Sequence, residues 1–219
     1  MSKIFEKDNF LSESECRLLI DYQKKYAKND IGKWSLQDHD TNWHTRSISL
    51  DKVYNEDVRK LLYIVNYKVS ILCTKSYNVD YVYPEFGNLV YWAPGMKLGV
   101  HADNMWIDRP KDPHYCSHRD FSAVIYLNDD YEGGKTFFND SGYEVEPKTG
   151  KLIYFTSGKE DAHGVTEVIS GHRYIFTLWF TKNQKQIFLP YYKLSQKEGV
   201  DDIYELVKKK IGINNIELN

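Results

Sequence analysis

Two histidines and an aspartate are the residues of this chain whose types and spacing suit metal chemistry. His101, Ala102 and Asp103 put an imidazole and a carboxylate two positions apart. Side chains of a β-strand alternate between faces, so residues i and i+2 point the same way. The spacing therefore predicts that His101 and Asp103 stand side by side on a strand. His163, within Asp161-Ala162-His163-Gly164-Val165, is the candidate third ligand, 163 − 101 = 62 residues downstream, with room for several strands between. Two imidazoles and one carboxylate on one face of an octahedron leave three positions open, a donor set suited to Fe(II) with room for further ligands. The triplet alone arises easily by chance, and the chain holds a second, His118-Arg119-Asp120. A hydrogen-bonded pair at a strand end is the alternative reading of either.

Arg173 follows His163 by 173 − 163 = 10 residues and opens the apolar run Arg173-Tyr174-Ile175-Phe176-Thr177-Leu178-Trp179-Phe180. An arginine beginning a buried strand needs an anion, and its planar fork suits a carboxylate held bidentately. An ion pair inside the core is the other reading. On that strand Arg173, Ile175, Thr177 and Trp179 share one face, so the floor of a pocket there combines a cation, a hydroxyl and apolar walls.

The rest of the chain has to position these groups. A short first strand is expected within 4–10. Ser12-Glu13-Ser14-Glu15 is a capping box, and a helix is expected from Glu13 to Tyr26. A turn is expected at 29–32 and a strand over 45–50. Asn55 can cap a second helix whose apolar residues Val58, Leu61, Leu62, Val65, Val69 and Leu72 fall on a 3.6-residue stripe. Both helices should pack on a sheet. From Tyr81 the pattern turns to short strands, expected at 88–92, 98–103, 121–127, 136–138, 151–155, 163–168 and 173–180, with Gly-, Pro- and Asn-rich turns between them. Strands at this spacing argue for a sandwich or barrel. A last helix is expected at 200–211, acidic at its start, basic at its end and followed by Gly212.

At this point the chain resembles a known family. Tyr91-Trp92-Ala93-Pro94-Gly95 precedes His101-Ala102-Asp103; then come Val124-Ile125-Tyr126-Leu127-Asn128, Glu132-Gly133-Gly134-Lys135-Thr136-Phe137-Phe138, Val145 to Phe155, His163-Gly164-Val165 and Gly171-His172-Arg173-Tyr174. In order and spacing these resemble the 2-oxoglutarate- and Fe(II)-dependent dioxygenases, prolyl 4-hydroxylase-like branch. The resemblance runs from about Leu89 to Thr181, with a fainter likeness over 8–16. It implies a mainly β fold with flanking helices, a double-stranded β-helix (jelly-roll-like barrel) packed by N-terminal helices. A single domain over 1–219 is expected, with helical support in 1–80, the barrel in 81–182 and an extension in 183–219.

The resemblance further implies that His101, Asp103 and His163 ligate iron. It implies that Arg173 binds the distal carboxylate of 2-oxoglutarate, as arginine does in hypoxia-sensing prolyl hydroxylases where collagen-type enzymes use lysine. Tyr126 matches a tyrosine that hydrogen-bonds the same carboxylate, and Tyr91 and Thr177 match other pocket residues. The implied reaction consumes O2, splits 2-oxoglutarate to succinate and CO2 and hydroxylates a C–H bond, with a peptidyl proline in a peptide or protein as the first expectation for the substrate and ascorbate as an accessory. Residues 104–120 form a polar loop that should overhang the site and shape substrate choice. Asn104 and Trp106 in that loop, with Trp179, are the candidate substrate contacts.

Composition sets limits on other classes. The formal net charge is −2, against nucleic-acid binding through a basic surface. Nucleic-acid demethylases of this fold carry a second arginine six residues after the first; here 173 + 6 is Trp179. A non-catalytic barrel that binds a metal or small acid is the reading from another class, and retention of all three ligands with the anchor argues against it. Cys16, Cys73 and Cys116 are odd in number and widely spaced, so a reducing compartment, the cytoplasm, is expected. The first residues have no long apolar core, so no signal peptide is expected, and no apolar run approaches the ~20 residues of a membrane span.

Overall fold

The computed structural model describes residues 3–26 and 46–187. The turn expected at 29–32, the first residues of the strand expected at 45–50 and the helix expected at 200–211 lie wholly or partly outside them. No helix among the described residues is long and apolar enough to cross a membrane.

Among the described residues, two α-helices flank the barrel. Helix α1, Glu13–Tyr26, starts at a reciprocal cap: the Glu15 amide donates to Ser12 Oγ at 3.3 Å and the Ser12 amide donates to Glu15 Oε2 at 2.8 Å, which satisfies amides the first turn leaves unpaired. Helix α2, Glu56–Tyr77, is capped by Asn55, whose Oδ1 accepts from the Val58 amide at 3.0 Å. It ends on Asn78 in the left-handed region, φ 52°, a position asparagine tolerates.

The strands are β1 (Phe5–Lys7), β2 (Ser47–Ser49), β3 (Tyr83–Trp92), β4 (Leu98–His101), β5 (Phe121–Tyr126), β6 (Glu132–Gly133), β7 (Thr136–Phe138), β8 (Tyr143–Glu144), β9 (Leu152–Thr156), β10 (His163–Val165), β11 (Val168–Ser170) and β12 (Arg173–Thr181). They form a six-stranded sheet in the order β1-β9-β5-β12-β3-β2, a four-stranded sheet β4-β10-β7-β8, and a ribbon β11-β6. All pairings are antiparallel. The strand spacing argued for a sandwich or barrel, and the family resemblance implied this mainly β barrel with flanking helices. The N-terminal segment does more than supply helices, since β1 and β2 cover the two edges of the large sheet. The run expected as one strand at 163–168 divides into β10 and β11, which belong to different sheets.

Period-two alternation in the large sheet separates two cores. From β12, Tyr174, Phe176, Leu178 and Phe180 face the helices and pack with Leu19, Leu62, Val65 and Val69. From the same strand Arg173, Ile175, Thr177 and Trp179 face the small sheet and line a cavity. Strand β5 divides likewise, with Phe121, Ala123 and Ile125 toward the helices and Ser122 and Val124 toward the cavity. The helices thus brace the back of the sheet whose front carries the polar groups. Leu62 is 0% exposed and Leu18 41% exposed. Leu62→Ala should therefore cost about 2–5 kcal/mol in chemical denaturation, while Leu18→Ala should stay within about 0.5 kcal/mol of the parent.

Candidate active site

His101 and His163 meet because β4 and β10 pair in that register: the two residues are direct partners across the ladder. Their rings lie 4.5 Å apart, centroid to centroid. Asp103 joins them by a different route from strand alternation. Strand β4 ends at His101, and Asp103 sits in the turn beyond it. That turn is held by the carbonyl of Ser157, which accepts from the Asp103 amide at 3.0 Å and the Asn104 amide at 3.2 Å. The carboxylate is aimed by Ser122, whose hydroxyl donates to Asp103 Oδ2 at 2.6 Å and lies 2.7 Å from Ser157 Oγ. A serine inside the apolar run Phe121-Ser122-Ala123-Val124 was the available sign of this support.

The two histidines are held in the form that binds a metal. His101 Nδ1 lies 3.0 Å from the Gly99 carbonyl and His163 Nδ1 3.0 Å from the Asp161 carbonyl. A carbonyl only accepts, so each Nδ1 carries the proton and each Nε2 offers a lone pair. Both Nε2 atoms turn to Asp103, at 3.8 Å from Oδ1 and 3.8 Å from Oδ2 respectively. One ligand atom from each residue lies within 4.8 Å of the others, close enough for one ion to touch all three. Burial, then the neighbouring His101, push the His163 pKa down to about 4, so its ligand form persists in mild acid. For Asp103, burial raises the pKa, but His163, His101 and the Ser122 hydrogen bond outweigh it and keep the carboxyl below its ordinary 3.8.

Arg173 is the deepest charge in the cavity, 0% exposed. Its Nη2 donates to Thr136 Oγ1 at 3.3 Å, and Nε and Nη1 have no partner. Among the described residues no carboxylate pairs with it. An unpaired buried donor costs about 1–3 kcal/mol, more when charged, so this guanidinium suits an anion from outside the described residues. Trp92 and Tyr126 flank it, with ring centroids 5.3 and 5.4 Å from the guanidinium carbon. The Tyr126 hydroxyl donates to Thr136 Oγ1 at 2.7 Å. Thr136 thus accepts from both Tyr126 and Arg173, and its own proton remains free. The floor beneath is kept open by Gly134, at φ +58°, where a Cβ would come within 3.0 Å of Arg173 Cδ.

A three-ligand face with a buried arginine deeper in the same cavity suits a metal ion and an anion, and part of the chain is similar to known proteins. Residues 77–181 match the 2OG-Fe(II) oxygenase superfamily model. Rat (Rattus norvegicus) prolyl 3-hydroxylase 2 is 32% identical over 131 residues, covering 55% of this chain and 18% of the relative. Human (Homo sapiens) prolyl 3-hydroxylase 3 is 39% identical over 92 residues, 37% of this chain and 12% of the relative. The matched stretch thus spans less than a fifth of those proteins. Two solved structures share the fold at 21% identity and a TM-score of 0.60. They are the viral collagen prolyl hydroxylase of Paramecium bursaria Chlorella virus-1, over 83% of this chain and 96% of that one, and a Pseudomonas putida prolyl-4-hydroxylase, over 84% and 94%.

In this barrel the donor set fits Fe(II), and the buried guanidinium, with no carboxylate beside it among the described residues, fits the far carboxylate of 2-oxoglutarate. Thr177 and Trp179 line the cavity as the alternation of β12 requires. Tyr91, expected in the pocket, is on the other face. It pairs with Tyr174, its ring packs in the helix-side core and its hydroxyl lies 3.0 Å from His172 Nδ1. Its neighbour Trp92 pairs with Arg173 and lines the cavity instead; only the β3–β12 register distinguishes the two. Asn104 and Trp106 lie in the loop and are absent from the cavity wall. Asn104 Nδ2 donates to the Arg119 carbonyl at 2.9 Å, and the Trp106 indole donates to the Pro113 carbonyl at 3.2 Å.

The second triplet is absorbed in structure. His118 and Arg119 meet Glu85 at 3.1 and 2.9 Å, and Asp120 accepts from the Lys182 amide at 2.7 Å. Arg119 also lies over the Trp179 ring at 4.2 Å.

Two outcomes follow from this geometry. Ser122→Ala leaves Asp103 unaimed, and metal affinity should fall about 10–100-fold by calorimetry, with the fold intact. The unfolded chain protonates His163 near 6.5, whereas the folded chain resists until about 4. The metal-free protein should therefore hold this contribution above pH 6.5 and lose it as pH falls toward 4. Denaturation at pH 7 and pH 5 should show a smaller difference in His163→Asn than in the parent.

Proposed function

We propose that this chain is an Fe(II)- and 2-oxoglutarate-dependent dioxygenase that hydroxylates a C–H bond of a peptidyl proline, releasing succinate and CO2. The observation that carries the proposal is Arg173: a fully buried guanidinium without a counterion among the described residues, in the same cavity as two neutral imidazoles and a carboxylate. Iron, 2-oxoglutarate and O2 supply the oxidising chemistry when bound. The chain supplies the rest. His101, Asp103 and His163 hold one face of the ion and leave the other open. Arg173 and the Thr136 hydroxyl fix the distal carboxylate, which sets the orientation of the cosubstrate. Trp92, Val124, Phe155 and Ile175 wall the cavity and exclude water from it.

The site is open on one side. The side chain of His101 is 33% exposed while that of His163 is 8% exposed, so substrate reaches the ion past His101. Trp179 lines the cavity, and the Arg119 guanidinium stacked on it is held by Glu85. Residues 104–120 add a second aromatic cluster, with Trp106 against His114 at 4.7 Å and Tyr115 at 6.1 Å between ring centroids. Aromatic faces with few polar contacts suit a pyrrolidine ring and an extended peptide. The prolyl hydroxylases among the relatives support that substrate class. The same chemistry on another amino-acid side chain is the second reading, favoured by the length of the loop that follows Asp103.

Three measurements test the proposal. Anaerobic Fe(II) with 2-oxoglutarate should give a weak visible charge-transfer band, absent in His163→Ala. Arg173→Gln should raise the 2-oxoglutarate concentration for half-maximal turnover about 100-fold or more. A panel of proline-containing peptides should show a mass gain of one oxygen atom with matching succinate. Oxygen found instead in free amino acids or nucleic acid would overturn the substrate, and loss of both band and succinate would overturn the enzyme.

A further inference from the structure

The Tyr131 hydroxyl is shut off from solvent, and among the described residues no atom accepts its proton. It lies beside Arg173: burial raises the phenol's pKa, and the Arg173 charge is the strongest influence pulling it back. A guanidinium has only donors, so it can take no proton from the phenol. The neighbouring hydroxyl of Tyr126 is already spent on Thr136, and Thr136 Oγ1 accepts from Tyr126 and Arg173 alike. Tyr131 is therefore a buried donor next to a buried cation, with nothing in the described chain to accept from it.

The phenol is also held in place. Gly134 lies under it, where a Cβ would stand 3.2 Å from Tyr131 Cε2 and 3.0 Å from Arg173 Cδ, so ring and guanidinium stem meet over one glycine. Behind its backbone Gly171, at φ +76°, packs so closely that a Cβ would stand 2.8 Å from Tyr131 Cα. Strand β6, which follows Tyr131, pairs with β11, which precedes Arg173. The two residues thus flank one small ribbon, Tyr131 just before β6 and Arg173 just after β11, at the start of β12.

We infer that Tyr131 is a second anchor for the carboxylate held by Arg173, donating its hydroxyl proton to that carboxylate. The inference rests on the cosubstrate pocket proposed above and adds a residue to it. Tyr131 is a positioning and specificity residue: it selects a ligand with a carboxylate at that end and takes no part in the reaction at iron.

The test uses glutarate, a dicarboxylate lacking the keto group, titrated into the metal-free protein by calorimetry. Tyr131→Phe should weaken glutarate about tenfold, the loss of one hydrogen bond, and Arg173→Gln should weaken it by about 100-fold or more. The ligand-free melting temperature of Tyr131→Phe should equal or exceed the parent's, since an unpaired buried hydroxyl is removed. In the iron-loaded protein the same variant should raise the KM for 2-oxoglutarate about tenfold with kcat unchanged. Parent-like glutarate affinity in Tyr131→Phe, with Arg173→Gln still impaired, would sink this inference and leave the pocket standing. A Tyr131→Phe protein that melts well below the parent would make the residue structural and would also sink it. A parent protein that ignores glutarate would overturn the pocket and this inference together.

Discussion

A residue on a β-strand can face only one of two ways, and β12 uses both. Its even-numbered residues from Tyr174 to Phe180 are buried against the helices, and its odd-numbered residues from Arg173 to Trp179 line the cavity. The strand sits between β3 and β5 at the centre of the large sheet, so its neighbours inherit the same division. A one-residue slip would send Arg173 into the helix-side core and Tyr174 into the cavity. The packing of Leu62, Val65 and Val69 on the back of the sheet therefore fixes where the guanidinium points on the front.

The metal ligands depend on a second set of backbone constraints. Two carbonyls, of Gly99 and Asp161, fix the histidine tautomers, and the β4–β10 register brings the rings together. Asp103 is reached through the Ser157 carbonyl and the Ser122 hydroxyl. Three like-aimed ligands close together are costly without an ion, because lone pairs face one another. Burial, then the neighbouring His101, depress the His163 pKa, so the pocket resists a proton on that imidazole.

The register shift in β12–β3 between Trp179 and Phe180 gives the outer wall its shape. Trp179 pairs with Phe86 and Phe180 with Pro84, so Glu85 is the extra residue of a bulge. A bulge re-aims the side chain it carries, and Glu85 turns to Arg119 and His118. Arg119 then lies over Trp179 at the cavity wall. His118 and Asp120, which in sequence mimic the metal triplet, are occupied with Glu85 and with the Lys182 amide.

The sequence alone determined the features that depend on local pattern. The caps at Ser12 and Asn55, the apolar stripe of α2 and the succession of short strands all follow from side-chain chemistry and period. The grouping of His101, Asp103, His163 and Arg173 was legible because several motifs agreed in order and spacing. Tertiary structure decided which neighbour of a pair faces the cavity. Tyr91 and Trp92 are both aromatic, and only the pairing with Arg173 and Tyr174 assigns them to opposite sides. It also decided that Asp103 arrives by a turn, that Ser122 aims it, and that Tyr131 meets Arg173 over Gly134. Each of these rests on a contact between residues far apart in the chain, and no local periodicity records such a contact.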